Sequence, residues 1–474
     1  MGVAVAVGAG IFSIGAQAAA FHAGPAVIIS FLIAGIVCGA AVMCYAEFAS
    51  MIPVAGSAYT FTYTTVGEIM AWIIGWDLIL EMLMAGSVIS KYWGVYLNDF
   101  MRLMGWNANT NLTFGSFHID IAPIIIVAFF TTLLVFGTKI GARVDGAMTV
   151  LKIAIVFFVV IVGFFYVKAS NFTPFIPPSQ PASTVEGSSA VTGVMTQPLW
   201  QFATGMTPSV YGVPGILSGA ALVFFAFIGF DVVATASEET KNPHKNVPLG
   251  IGVGMLLIIV MYMLVAVVTT GMVSYADLAK QDSPSLATAF ELVGADWAAK
   301  IISFGIVLGL ATVVMVLLLG LTRIVFAMSR DGLLPRGLSK TGKHGTPAAL
   351  QIVVGAVVAL VAAFFDIGVL SDMVNIGTLS AFTLVAISIP IMRKKRPDLP
   401  RAFKMPGSPW IPILIAVANF WLMLNLSVLT WIRFVVWLVV GFAIYFGYGY
   451  WHARLGKGDL TETLSAETDK AVNG

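Results

Sequence analysis

The chain has 474 residues, 59% of them hydrophobic and only 10% charged, with a mean hydropathy of +0.95 and a net charge of +2. Soluble domains carry about 25% charged residues, so this composition excludes a soluble globular protein and points to an all-α polytopic membrane protein. No basic block is long enough for nucleic acid, and no cluster of His, Cys or acids has a catalytic spacing, so no nucleic-acid partner, enzyme activity, cofactor or metal site is expected.

Apolar runs of about 17 to 25 residues, the length that crosses a bilayer, predict twelve transmembrane helices. They cover 2–20, 26–50, 68–91, 121–137, 146–167, 213–238, 248–273, 298–326, 348–365, 369–391, 411–429 and 432–451. The first run contains Gly8-Ala9-Gly10-Ile11-Phe12. Each Gly costs a helix about 1 kcal/mol against Ala, so this pair invites the helix to open. Only seven residues, about 10 Å of helix, precede Gly8, against about 15 Å for half a bilayer. The first half-helix is therefore expected to be unusually short, or the sequence to begin late. Cys38 and Cys44 share the second run six residues apart, on different helix faces, so no disulfide is expected. A second weak point, Leu222 to Asp231, opens the sixth run.

The runs divide into 1–167, with five spans, an external loop at 168–212, and 213–391, with five more. Two further helices at 392–451 and a polar tail at 452–474 complete the chain. An interrupted helix at the start of each half is the pattern of an inverted repeat with its binding site at the interruptions. The stretch from Asn171 to Thr207 is rich in Ser, Thr, Pro and Gly and reads as a long exposed loop. With both termini in the cytoplasm, 18 of the 25 Lys and Arg fall on the inner side, among them Lys139, Arg143, Lys241, Arg323, Arg330, Arg393 to Arg396 and Arg454.

An opened helix inside hydrocarbon leaves N–H groups free at one half-helix end and C=O groups at the other, each costing several kcal/mol unless something satisfies it. The N-terminal end attracts anions and the C-terminal end cations. A ligand with a carboxylate and an ammonium group close together satisfies both breaks, and an α-amino acid is such a ligand. Close helix packing is the competing reading of the glycines.

Several short motifs stand in one order along the chain. They are Gly8-Ala9-Gly10-Ile11-Phe12 and Phe225-Ala226-Phe227-Ile228-Gly229-Phe230-Asp231; Pro53, Gly56, Tyr59 and Gly67-Glu68; Glu238-Glu239 with Asn242-Pro243; and Thr322-Arg323 with Ser329-Arg330-Asp331-Gly332. With these motifs the sequence resembles the amino acid–polyamine–organocation superfamily across its spans, in the branch of bacterial homologues of cationic amino acid transporters. The resemblance implies a LeuT-like 5+5 inverted repeat plus two further helices. It implies that backbone amides around Ala9, Gly10 and Ile11 hold the substrate carboxylate. Carbonyls of Phe225, Ala226 and Ile228 then hold the ammonium group, and the Phe225 ring closes over the substrate. Phe227 and Gly229 complete the second break, with Gly8 at the first.

Lys152 lies about 10 Å into the fifth span, where the resemblance places the lysine that replaces a sodium ion in proton-coupled members; snorkelling to the interface is the bland alternative. Asp77 and Glu81, four residues apart, share one face of the third span. Glu81 is a candidate for proton coupling, and a structural hydrogen-bonding role is equally open for both acids. Asp231 is a candidate gate or helix cap. The function implied is inward, proton-coupled symport of cationic or small neutral amino acids through the plasma membrane. An amino acid or amine exchanger is the alternative, and a channel or receptor a distant one. The expected partners are the amino acid, protons and the bilayer, with a small membrane-protein partner left open.

Overall fold

A bilayer offers backbone groups no partner but each other, so apolar sequence of this length resolves into helices. The computed structural model describes residues 6–8, 10–51, 59, 62–63, 67–106, 110–114, 117–137, 141–182, 193–229, 243–281, 283–342, 346–395, 397, 401 and 403–453. Seven helices among the described residues are long and apolar enough to cross a membrane, and four more are apolar but shorter.

The first broken segment is a π-helix over Gly10–Ile14, a turn of α1 (Gly15–Ala18) and a second π-helix over Ala19–Ala23. It turns at Gly24, whose φ of +61° suits a residue without Cβ, into α2 (Val27–Met51). The 36-residue α3 (Glu68–Leu103) follows, about 54 Å long. It continues twelve residues beyond the expected end at Lys91, because charged and polar residues near its end lie past the apolar stretch that hydropathy detects. A hairpin of β1 (Asn111–Phe114) and β2 (Phe117–Asp120), in antiparallel register Asn111↔Asp120, leads into α4 (Ile121–Val135) and α5 (Gly141–Phe164).

The stretch between α5 and α7 is more ordered than its composition predicts. There β3 (Gln180–Pro181) pairs with β4 (Ser209–Val210) across α6 (Leu199–Thr204), with 183–192 outside the described residues. Leu199 N–H donates to Leu426 C=O (2.9 Å), and Trp200 Nε1 donates to Asn425 Oδ1 (2.9 Å). A polar segment can satisfy its backbone on a neighbouring loop, which a composition count does not reveal.

The second half holds α7 (Gly212–Val223) with a 3-10 turn at Phe224–Phe227, then α8 (Pro243–Met272) and the short α9 (Tyr275–Ala279) and α10 (Leu286–Leu292). The 35-residue α11 (Asp296–Arg330), α12 (Ala348–Phe364), α13 (Ile367–Lys395), α14 (Trp410–Leu424) and α15 (Val428–Ile444) complete it. Helix α3 is the buried spine and packs along α11 and α13. Small residues permit close approaches around this spine: a Cβ at Gly305 of α11 would strike Ile155 Cδ1 of α5, and one at Gly355 of α12 would strike Thr131 of α4.

Two polar or aromatic clusters fasten the bundle. Glu47, near the end of α2 and fully buried, takes a two-pronged bond from Arg393 of α13 (2.9 and 2.6 Å) and the Met405 N–H (2.7 Å), with Arg401 Nε 3.7 Å away. Trp76 of α3 and Trp437 of α15 stack at 4.4 Å, and each indole N–H donates to the other's carbonyl (2.8 and 3.3 Å). The close stack is possible because Gly441 leaves room under Trp76.

Candidate functional site

Both broken segments meet at the bundle's centre. Helical geometry lapses at Val7 and Gly8 and resumes at Gly10, so an N-terminal end faces this point. On the other segment, the 3-10 turn stops at Phe227, Ile228 is extended (ψ 146°), and Gly229 has φ +105°, a value open essentially to glycine. That end presents carbonyls. The positive end of one segment and the negative end of the other therefore converge on a small space.

The contact is backbone against backbone. A Cβ at Gly10 would collide with Ala226 Cα, so only glycine allows this approach. The outer ends of the two segments are also joined: Tyr211 donates its N–H to His22 C=O (2.8 Å) and its hydroxyl to Ala20 C=O (2.7 Å).

The pocket at the junction is lined by Ala6, Gly8, Gly10, Phe225 and Ile228 from the broken segments, Ala85 and Ile89 from α3, and Val313 and Leu317 from α11. It encloses about 20 Å³, room for no more than a water molecule, so any larger cargo requires these walls to part. The backbone supplies its polarity and apolar side chains supply the rest.

The predicted residues distribute unevenly. Gly8, Gly10, Phe225 and Ile228 line the pocket, while Ile11 and Phe227 pack into the core around it. Ala9 and Asp231 lie outside the described residues, as do Pro53, Gly56, Glu238, Glu239 and Asn242 of the motifs. Lys152 is 0% exposed and lies along α11, where a Cβ at Gly309 would sit 2.7 Å from its Cγ; it does not snorkel to an interface. Asp77 and Glu81 are both fully buried on α3, and neither belongs to the pocket wall. Asp77 Oδ2 accepts from Ser380 Oγ of α13 (2.6 Å), an interhelical role.

Three contributions are invisible to motif reading. Tyr262 of α8 directs its hydroxyl at Ala226 C=O (2.6 Å) and at Ala6 C=O, touching both breaks, and its ring packs on Phe31 (5.7 Å) and Phe227 (5.0 Å). Tyr96 donates to Phe12 C=O (2.7 Å). Ala85, Ile89, Val313 and Leu317 are ordinary apolar residues in long apolar helices, and only the packing of α3 on α11 brings them to the pocket. In Tyr262→Phe the ring contacts persist and a buried carbonyl loses its donor, at about 1–3 kcal/mol. Uptake by this variant is expected to fall about tenfold while the protein still elutes as a monodisperse species on size-exclusion chromatography.

Comparison with known proteins decides what kind of molecule carries this junction. The amino acid permease family matches residues 1–448. The chain belongs to that family. The permease is 42% identical to the branched-chain amino acid permease BcaP of Bacillus subtilis (strain 168), over 96% of this chain and 92% of the relative. It is 38% identical to the methylthioribose transporter of the same organism, over 96% and 93%. It is 36% identical to the vacuolar cationic amino acid transporter 2 of Arabidopsis thaliana, over 84% of this chain and 59% of the relative. The permease is therefore a multi-pass membrane protein with amino acid permeases and transporters among its relatives.

Proposed function

We propose that the permease is a proton-coupled symporter that carries neutral amino acids with apolar side chains into the cell by alternating access. The framework in this reading is the LeuT-like 5+5 repeat with two further helices and both termini in the cytoplasm. The observation that carries the reading is the pocket wall. Two helix ends of opposite polarity suit a carboxylate and an ammonium group, and Ala85, Ile89, Val313 and Leu317 offer a side chain nothing but hydrocarbon. A cationic side chain would be desolvated there without a counter-charge, at a cost of several kcal/mol. Neutral substrates are therefore favoured over the cationic ones that the sequence branch suggested, in keeping with the branched-chain substrate named for one relative. Methylthioribose, named for another, has neither a carboxylate nor an ammonium group and would leave both helix ends unanswered.

Coupling is assigned to Lys152. Its stem is clamped between α5 and Gly309 of α11, and burial makes the charged form sensitive to small changes around it. The test is uptake of labelled leucine, alanine and arginine into proteoliposomes with and without an inside-alkaline gradient. Gradient-driven accumulation of leucine exceeding that of arginine is expected. Leucine movement only against preloaded amino acid would make the protein an exchanger and sink the symport reading. In Lys152→Met, accumulation is expected to drop to the level seen without a gradient, while leucine–leucine exchange persists; full gradient-driven accumulation would remove Lys152 from coupling.

A further inference from the structure

A cavity of about 600 Å³ opens where the end of α5 meets the end of α8, with α9 and the end of α10 in its wall. Its polar lining is Lys168, Asn171, Ser274, Asp277, Lys280 and Gln281. Two bonds to one carbonyl fix this wall: the Lys168 N–H (2.8 Å) and Asn171 Nδ2 (2.7 Å) both donate to Gly271 C=O. The carboxylate of Asp277 is already answered on both oxygens, by Lys280 Nζ (2.8 Å) and Ser274 Oγ (2.7 Å). The Lys168 ammonium and the Gln281 amide, by contrast, take part in no hydrogen bond or ion pair among the described residues. The cavity thus offers a cation and neutral donors with its acid already engaged, which suits a phosphate group. A choline or ammonium group would find no open carboxylate there.

The surroundings are those of a membrane edge. Phe165, in the cavity lining, is 82% exposed, and the exposed Trp297 at the start of α11 meets Phe158 of α5 edge-on (5.9 Å), as aromatic side chains do at headgroup level. Below the cavity, Phe157, Ile161 and Phe164 form an exposed apolar stripe on α5, and Val260, Leu264 and Val267 form another on α8. The two helices touch closely, since a Cβ at Gly163 would strike Val268 Cγ1. A free phosphate would use the cavity alone. A phospholipid with its chains on these stripes brings its phosphate to Lys168 at high effective concentration.

We propose that this cavity is a headgroup site for an anionic phospholipid, with Lys168 on the phosphate and the acyl chains laid along α5 and α8. Occupancy bears on the bundle, because α9, which lines the cavity, packs on the π-helix Ala19–Ala23 of the first broken segment. The experiment is native mass spectrometry of the full-length purified and delipidated protein, titrated with dioleoyl-phosphatidylglycerol or with dioleoyl-phosphatidylcholine. Wild type is expected to hold one phosphatidylglycerol about fivefold more tightly than phosphatidylcholine, the change in affinity that one lysine at an anionic surface provides. Lys168→Gln is expected to erase that preference and Lys168→Arg to keep it. Arg336→Gln/Lys340→Gln, which removes two charges beyond the far end of α11, is expected to leave it unchanged. Phosphatidylglycerol is also expected to raise the melting temperature of wild type and not of Lys168→Gln. Equal affinity of wild type for the two lipids, or an unchanged preference in Lys168→Gln, overturns the site. Displacement of the phosphatidylglycerol by equimolar inorganic phosphate would make this a site for a soluble anion and overturn the lipid assignment.

Discussion

Leucine uptake by Gly10→Val is expected to fall at least about 100-fold in proteoliposomes, with the protein still inserted and monodisperse. The reason is the position of Ala226, whose Cα stands where any Cβ on residue 10 would be placed. Backbone on both sides leaves no flexible side chain to give way, so the two broken segments must separate, and overpacking of this kind costs about 1–3 kcal/mol. Displacing the two helix ends by about an ångström also misdirects the dipoles aimed at the substrate, and misplacements of that size cost about 100-fold where geometry governs rate. Near-normal uptake by Gly10→Val would mean that the substrate is held elsewhere.

The second large effect is at the opposite extreme of polarity. Glu47→Ala removes a carboxylate that faces Arg393, Arg401 and the Met405 N–H. Removing one member of a buried ion pair typically costs 3–5 kcal/mol. The Arg393 side chain keeps 27% of its exposure, which tempers the loss, so about 3 kcal/mol is expected. A melting temperature lowered by several degrees in detergent, together with poor yield, would register it, and an unchanged melting curve would show that water replaces Glu47 at little cost. Arg393→Lys should lie between, because a lysine cannot reproduce the two-pronged contact.

Both sites show what a sequence does and does not disclose. The weak points at Gly8–Gly10 and Phe225–Gly229 are legible because glycine in an apolar run is a local anomaly, and the structure brings their ends together. Lys152 is equally visible as a charge inside hydrocarbon, although its burial against Gly309 is not, since that depends on how α5 crosses α11. Ala85, Ile89, Val313 and Leu317 cannot be singled out, because nothing in their own segments distinguishes them from dozens of similar residues. Tyr262 is hidden for a related reason: a tyrosine in an apolar helix is unremarkable until its hydroxyl is seen to reach Ala226. The hairpin at Asn111–Asp120 and the anchoring of Leu199 on Leu426 escaped for another reason, that short polar stretches satisfy their backbone through partners that hydropathy does not reveal.

The reciprocal indole bonds of Trp76 and Trp437 bear on how the pocket opens. Trp76 and Ala85 sit on one unbroken helix, nine residues or about 14 Å apart. Helix α15 therefore acts as a buttress on the side of the pocket that α3 forms, resisting bending in the manner of a rib welded to a panel. The yielding side is then the opposite one, where glycine and a 3-10 turn replace continuous helix, and admission of cargo falls to the compliant half of the enclosure.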